Sequence, residues 1–164
     1  MMHNTATATA ARYAALLGLL RAGSNIGDHI TQRSRDAELK GATDADPVQY
    51  QGDTYGTREG RLACLRHSLS YTATQGAVIA VGSRALGLRL PTGRLLAALA
   101  LSGASHYVID RREPLRRSLD ALGKGEFYRV NSGGINGSYL MDQAVHHLIE
   151  SLVCLIPAVD RTAS

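Results

Sequence analysis

The histidines and aspartates of this chain recur at intervals of four residues inside apolar segments. His106 and Asp110 form one such pair, and Asp142 and His146 form another. Side chains four residues apart lie on the same face of an α-helix. Because polar groups are costly in a core unless they are paired or bind something, the two faces predict one buried polar site. Helix bundles often hold metals with carboxylate and imidazole ligands that project inward from facing helices.

Two further segments carry polar residues with the same spacing. Asp28 lies four residues from both Ser24 and Gln32, and His67 precedes Tyr71 by four. Four polar faces in one small chain favour a divalent metal site over four unrelated contacts. The predicted ligands are Asp28, His67, His106, Asp110, Asp142 and His146.

Imidazole suits zinc, iron and other transition metals, and carboxylates add affinity for harder ions such as manganese. A bound metal can lower the pKa of a water molecule from ~15.7 to ~7, which makes a nucleophile at neutral pH. Asp110 or Asp142 is then the predicted catalytic base, whichever of the two does not bind the ion. The alternative is a hydrogen-bonded network without metal, or polar stripes exposed to solvent. His29 and His147 lie off the polar faces.

The spacing of apolar residues predicts an all-α fold, a bundle of about four main helices around the His/Asp site. Gly23 and Gly27 interrupt the first helix and mark either a kink or a close helix contact. Pro91 fits the first turn of the third helix, and Pro157 ends the fourth. The predicted helices cover about residues 7–40, 59–86, 92–110 and 138–155.

Two long loops are predicted at residues 42–59 and 123–137, and long loops in compact domains are often functional. The second is rich in glycine, which suits either an anion site at the following helix or an ordinary flexible loop. Residues 111–122, directly before the second loop, predict a short basic helix. Its arginines are either the predicted substrate-binding residues or a solvated helix end. The substrate-binding set is Arg111, Arg112 and Arg116.

Composition places the 164-residue chain among globular proteins, with 45% hydrophobic and 20% charged residues. We expect a single helical domain with flexible tails at residues 1–6 and 157–164. The formal net charge of +4 favours an anionic small molecule or a nucleic acid as partner. Cys64 and Cys154 predict buried free thiols. The sequence predicts a cytoplasmic location and leaves peripheral membrane contact and homo-oligomer formation open.

Four motifs support a family resemblance. They read Gly-Asp-His-Ile-Thr-Gln at 27–32, Arg-His-Ser at 66–68, Ser-His-Tyr-Val-Ile-Asp-Arg at 105–111 and Tyr-Leu-Met-Asp-Gln-Ala-Val-His at 139–146. These segments, with Ala37 and Lys40-Gly41, resemble an uncharacterised helical family of high-GC bacteria and their phages, a domain of unknown function. The second and third motifs also resemble the group of membrane-bound metal-dependent hydrolases.

The resemblance spans residues 24–149 and implies a metal-binding helical bundle with hydrolase activity. Family members often carry histidine four residues before the first aspartate, where this chain has Ser24, and this removes one candidate ligand. The leading hypothesis is a metal-dependent hydrolase that acts on a phosphoester or another anionic substrate. The alternatives are a non-enzymatic nucleic-acid-binding or regulatory protein of a mobile element or phage, and a structural protein at the membrane surface.

Overall fold

The computed structural model describes residues 2–159, with side chains from residue 6 onwards. The fold is predominantly helical, so the predicted all-α class is confirmed. The tails predicted at residues 1–6 and 157–164 lie partly outside the described range. Within that range, Pro157 and Ala158 are buried. The helices are α1 (Met2–Ile26), α2 (Ser34–Leu39), α3 (Thr57–Ala85), α4 (Thr92–Asp110), α5 (Glu113–Ala121), α6 (Gly125–Tyr128), α7 (Gly137–Val153) and α8 (Leu155–Ala158).

The predicted first helix is shorter than expected. It was expected to continue to about residue 40, but α1 ends at Ile26 and a π-helical turn, Gly27–Thr31, separates it from α2. Both interrupting glycines mark close contacts with α3. A Cβ atom at Gly23 would lie 2.8 Å from the Cα atom of Gln75, and one at Gly27 would lie 2.8 Å from the ring of Tyr71. The glycines therefore let the two helices approach each other.

Each predicted loop contains a small antiparallel hairpin. The turns are formed by Gln51-Gly52 and Gly133-Gly134, and all four residues have positive φ angles. Two consecutive positive φ angles suit the tight turns that join twisted strands. The hairpins escaped prediction because their strands are only two or three residues long. The strands are β1 (Val48–Tyr50), β2 (Asp53–Tyr55), β3 (Asn131–Ser132) and β4 (Ile135–Asn136).

The chain divides into two compact units. Unit 1 contains residues up to 31, residues 69–103 and residues from 149 onwards. Unit 2 contains residues 32–68 and 104–148. The hydrophobic core of unit 1 consists of Leu16, Leu20, Ile79, Ala98, Val153, Cys154 and Ala158.

Unit 1 also holds a buried network of polar side chains. The Tyr71 hydroxyl lies 3.1 Å from Oε1 of Glu150 and 3.0 Å from Oγ of Ser24. Gln75 donates to Ser24 at 2.9 Å and accepts from the Ser102 hydroxyl at 3.0 Å. Burial and the nearby Glu150 carboxylate raise the pKa of Tyr71, which keeps its hydroxyl protonated. These polar residues form a hydrogen-bonded network, which was the alternative to a metal site.

Both cysteines are buried free thiols, as predicted. Cys64 belongs to unit 2, and its thiol lies 3.3 Å from the backbone carbonyl of Tyr107. Burial raises the pKa of the Cys64 thiol to about 12, so it stays protonated and is a poor metal ligand at neutral pH. Within residues 2–159, no helix combines the length and apolar character that crossing a membrane requires.

Candidate metal centre

Three histidines and one aspartate converge inside unit 2. His67 comes from α3, His106 and Asp110 from the last turn and a half of α4, and His146 from the middle of α7. Their exposed fractions are 1%, 1%, 1% and 4%, so all four are buried. The four-residue steps place each pair on one face, as the sequence predicted, and tertiary packing brings the faces together.

The ligand atoms of His67, His106 and Asp110 form a nearly regular triangle. The two Nε2 atoms are 2.8 Å apart. Oδ2 of Asp110 lies 3.1 Å from Nε2 of His67 and 3.1 Å from Nε2 of His106. A metal ion binds nitrogen and oxygen ligands at about 2.0–2.2 Å, so ligand atoms at right angles around it stand about 3 Å apart. The triangle has the dimensions of one face of such a coordination shell.

Either protons or a cation can fill this triangle. One imidazole can donate its Nε2 proton to the other across 2.8 Å, while the Lys40 ammonium donates to Oδ2 of Asp110 at 2.9 Å. If neither Nε2 atom carries a proton, the lone pairs of both nitrogens and of the carboxylate face one another, and a cation at the centre would attract all three at once.

His146 extends this group. Its Nε2 atom lies 3.6 Å from Oδ1 of Asp110, and its ring centroid is 4.4 Å from that of His106. One ligand atom from each of His106, Asp110 and His146 lies within 4.8 Å of the other two, so these residues could hold a metal ion. The expected convergence of His106 and His146 is therefore confirmed.

The protonation states follow from burial and pairing. Burial alone would raise the pKa of Asp110, but contacts with His106, His146 and His67 hold it well below its ordinary value. Burial alone would lower the pKa of His146, but Asp110 and Asp142 raise it to about 10. Without a bound cation, His146 is thus an imidazolium at neutral pH. A metal that binds its Nε2 atom must displace that proton.

Asp142 lies beside the triangle and not in it. Its Oδ2 atom is 3.5 Å from Nε2 of His146, and its side chain is 25% exposed. Together with Asp110 it lines a pocket of about 670 Å³. Partial exposure and a position at the pocket suit a proton acceptor. Its predicted role as a ligand stays a prediction.

Lys40 is a site residue that sequence reasoning missed. Its ammonium group lies 2.9 Å from Oδ2 of Asp110, the oxygen that also faces both histidines. The backbone around Lys40 is held by Arg111, which donates to the carbonyls of Lys40 at 2.7 Å and Ala42 at 2.8 Å. The only available signal was the Lys40-Gly41 pair in the family resemblance. The spacing along the chain contained none.

The three predicted substrate-binding arginines have different surroundings. Arg111 donates to the backbone carbonyls of Lys40 and Ala42 and so positions Lys40. Arg112 lines the pocket and donates to the carbonyl of Ala37 at 3.1 Å. Arg116 is half-exposed and stands 3.9 Å from Glu113 and from Asp120. Of the three, Arg112 is therefore placed to meet a ligand in the pocket.

Asp28 lies in unit 1, in the π-helical turn, and its predicted role as a metal ligand stays a prediction. His29, in the same turn, is exposed, as predicted for a residue off the polar face. His147 is half-buried. The centre in unit 2 is thus built from His67, His106, Asp110 and His146, with Lys40 and Asp142 beside it.

Removal of a bound ion is expected to lower the melting temperature. The contacts of the ion with the buried imidazoles and carboxylate would be lost, and a ligand that binds only the folded state stabilises it. At a free metal concentration of 100 times Kd the stabilisation is about 2.7 kcal/mol, or several degrees in melting temperature. Calorimetry before and after dialysis against a chelator measures it. An unchanged melting temperature after proven metal removal would contradict a metal-supported site.

Comparison of the chain with protein-family models, with curated proteins and with solved structures finds no match. The functional interpretation therefore depends on the geometry of the His/Asp centre and its pocket.

Proposed function

We propose that the protein is a metal-dependent hydrolase whose substrate carries a phosphoester or a similar anionic group. The observation that carries this proposal is the triangle of His67, His106 and Asp110, whose edges of 2.8–3.1 Å match the spacing of ligand atoms around a metal ion. Asp110 also lines the pocket, so the centre is accessible to a substrate of small-molecule size. Strongly shifted pKa values in a cleft are typical of functional sites.

The donor set suits zinc, manganese or iron, since two or three imidazoles join one carboxylate. A divalent ion held there would supply Lewis acidity and lower the pKa of a water molecule. This combination of imidazole and carboxylate ligands, with room on the pocket side, resembles catalytic centres more than structural zinc sites, which are closed by four protein ligands.

The surrounding side chains supply the remaining functions. Lys40 and Arg112 line the pocket and would attract and orient an anionic substrate. Asp142 is the proposed general base. In hydrolysis the water oxygen bonds to phosphorus, the bond from phosphorus to the leaving oxygen breaks, and Asp142 takes the proton that the water loses. The leaving oxygen takes a proton from solvent or from the Lys40 ammonium.

The proposal predicts hydrolysis of bis(p-nitrophenyl) phosphate by protein purified without a histidine tag. Elemental analysis should find a transition metal, and activity should disappear with a chelator and return with zinc, manganese or iron. Asp142→Asn should lower kcat by about 10²–10⁴ while metal content persists, because it removes proton transfer and leaves the triangle intact. Asp46→Asn, the same change at an exposed aspartate that does not line the pocket, is a control that should retain activity.

Metal-loaded protein that hydrolyses neither this diester nor p-nitrophenyl phosphate would contradict the proposal. Binding of nucleic acid that weakens steeply with salt, without turnover, would instead favour the non-enzymatic regulator. The proposed links to phages and mobile elements, to a membrane surface and to self-association stay predictions.

A further inference from the structure

Three residues on one face of α7 lead from the metal centre towards the surface. His146, Asp142 and Tyr139 follow one another at steps of four and three residues and so share one helix face. Their exposed fractions rise from 4% for His146 to 25% for the Asp142 side chain and 48% for Tyr139. At 1.5 Å per residue, the seven residues from His146 to Tyr139 span about 10 Å. Of these three residues, Asp142 and Tyr139 line the pocket, and the aromatic ring is the more exposed of the two.

A second tyrosine lines the same pocket. Tyr128, at the end of α6, is half-buried, and burial raises the pKa of its phenol. Arg112 lowers the pKa of this phenol and Asp142 raises it, so the ring lies near both charges. Asn131, from β3, adds an amide that can both donate and accept a hydrogen bond. Aromatic faces and an amide are the groups that recognise a nucleobase.

Two cationic side chains, Lys40 and Arg112, line the pocket together with Asp110. Lys40 contacts Asp110 at 2.9 Å. The side chain of Arg112 packs against Gly41, which follows Lys40 in the chain. A Cβ atom at Gly41 would lie 2.5 Å from Cδ of Arg112. Arg129 also lines the pocket but is paired with Asp120 at 2.6 Å. Lys40, which contacts Asp110, and Arg112, which packs beside it at Gly41, are therefore the cationic groups assigned to an anion.

We infer that the substrate is a nucleoside phosphate, an inference that rests on the proposed hydrolase function. Its phosphate lies at Lys40 and Arg112, next to the metal triangle, and its base lies against Tyr139 and Tyr128. The pocket of about 670 Å³ is of the size that accepts small molecules and cofactors. The distance of about 10 Å along α7 between His146 of the metal centre and Tyr139 matches a ligand with a charged group at one end and a flat ring at the other.

The test is a binding measurement that does not depend on turnover. In Asp142→Asn protein, isothermal calorimetry compares AMP with ribose 5-phosphate, which has the same phosphate and sugar but no base. Stacking contributes about 1–3 kcal/mol per base, so AMP is expected to bind at least fivefold more tightly. Tyr139→Ala should remove this preference and Tyr139→Phe should keep it. Tyr50→Ala changes a tyrosine of β1 that does not line this pocket and should have no effect.

Equal affinity for AMP and ribose 5-phosphate, or a preference that survives Tyr139→Ala, would overturn the inference, whatever the result with the nitrophenyl diester. A tyrosine-dependent preference for AMP in a protein that hydrolyses no phosphoester supports nucleoside recognition and overturns the hydrolase instead. An oligonucleotide with a 5′-phosphate completes the experiment. If it binds more tightly than AMP, the nucleoside phosphate comes from a nucleic-acid end; if it binds more weakly, the ligand is the free nucleotide.

Discussion

His106→Ala is expected to abolish metal binding and any hydrolytic activity together. The substitution removes the imidazole whose Nε2 atom is 2.8 Å from that of His67 and 3.1 Å from Asp110. His106 contributes to both possible ligand groups, the triangle and the set of His106, Asp110 and His146, so its loss breaks both. Elemental analysis should show a fall from about one ion per chain to a small fraction of that. The rate with bis(p-nitrophenyl) phosphate should fall to the level of chelated wild-type protein.

The same centre predicts strongly non-additive substitutions. His67→Ala should lower metal content and activity as much as His106→Ala, and the double variant should lose little more. Ligands that act as one unit behave in this way, because the first loss already disables the site. A hydrogen-bonded network can also couple residues, so metal content has to be measured in every variant.

His147→Ala is the matched control for these variants. It removes an imidazole from α7, one residue from His146, but about 100° around the helix. Metal content and rate should stay near the wild-type values. If His67→Ala and His106→Ala both keep a full complement of ion, the triangle is not the metal site.

The pairing of residues within each helix could be predicted from the sequence. Helical geometry places His106 with Asp110 and Asp142 with His146, whatever surrounds them. Apolar neighbours such as Val145 and Ile149 indicated that these faces point inward. The burial of His106 and His146 follows from those two facts.

Spacing within a helix does not reveal which faces meet. Ser102 lies four residues before His106, and Glu150 four after His146, yet both belong to the network of Tyr71 in unit 1. Each of these two polar stripes thus contributes residues both to the His/Asp group and to a hydrogen-bonded network. Lys40 was missed for a related reason, since it is 70 residues from Asp110 in the chain and only tertiary packing brings the two together.

The network in unit 1 predicts the largest effect on stability. The carboxylate of Glu150 is 2% exposed, pairs with Arg21 and lies 3.1 Å from the Tyr71 hydroxyl. Glu150→Ala leaves this buried hydroxyl without its carboxylate acceptor and deprives the guanidinium of its partner. Removing one member of a buried ion pair can cost 3–5 kcal/mol, but Arg21 is 32% exposed and water will solvate it. We therefore expect a loss of about 2–3 kcal/mol.

Thermal unfolding measures this loss as a fall of about 5–10 °C in melting temperature. Glu150→Gln should be milder, because its amide oxygen can still accept from Tyr71 while only the charge is lost. Glu38→Ala removes an exposed carboxylate on α2 and should change the melting temperature by no more than a degree or two. Because Glu150 belongs to unit 1 and the triangle to unit 2, folded Glu150→Gln protein should keep its metal. A Glu150→Ala variant as stable as wild type would show that the network contributes little to folding.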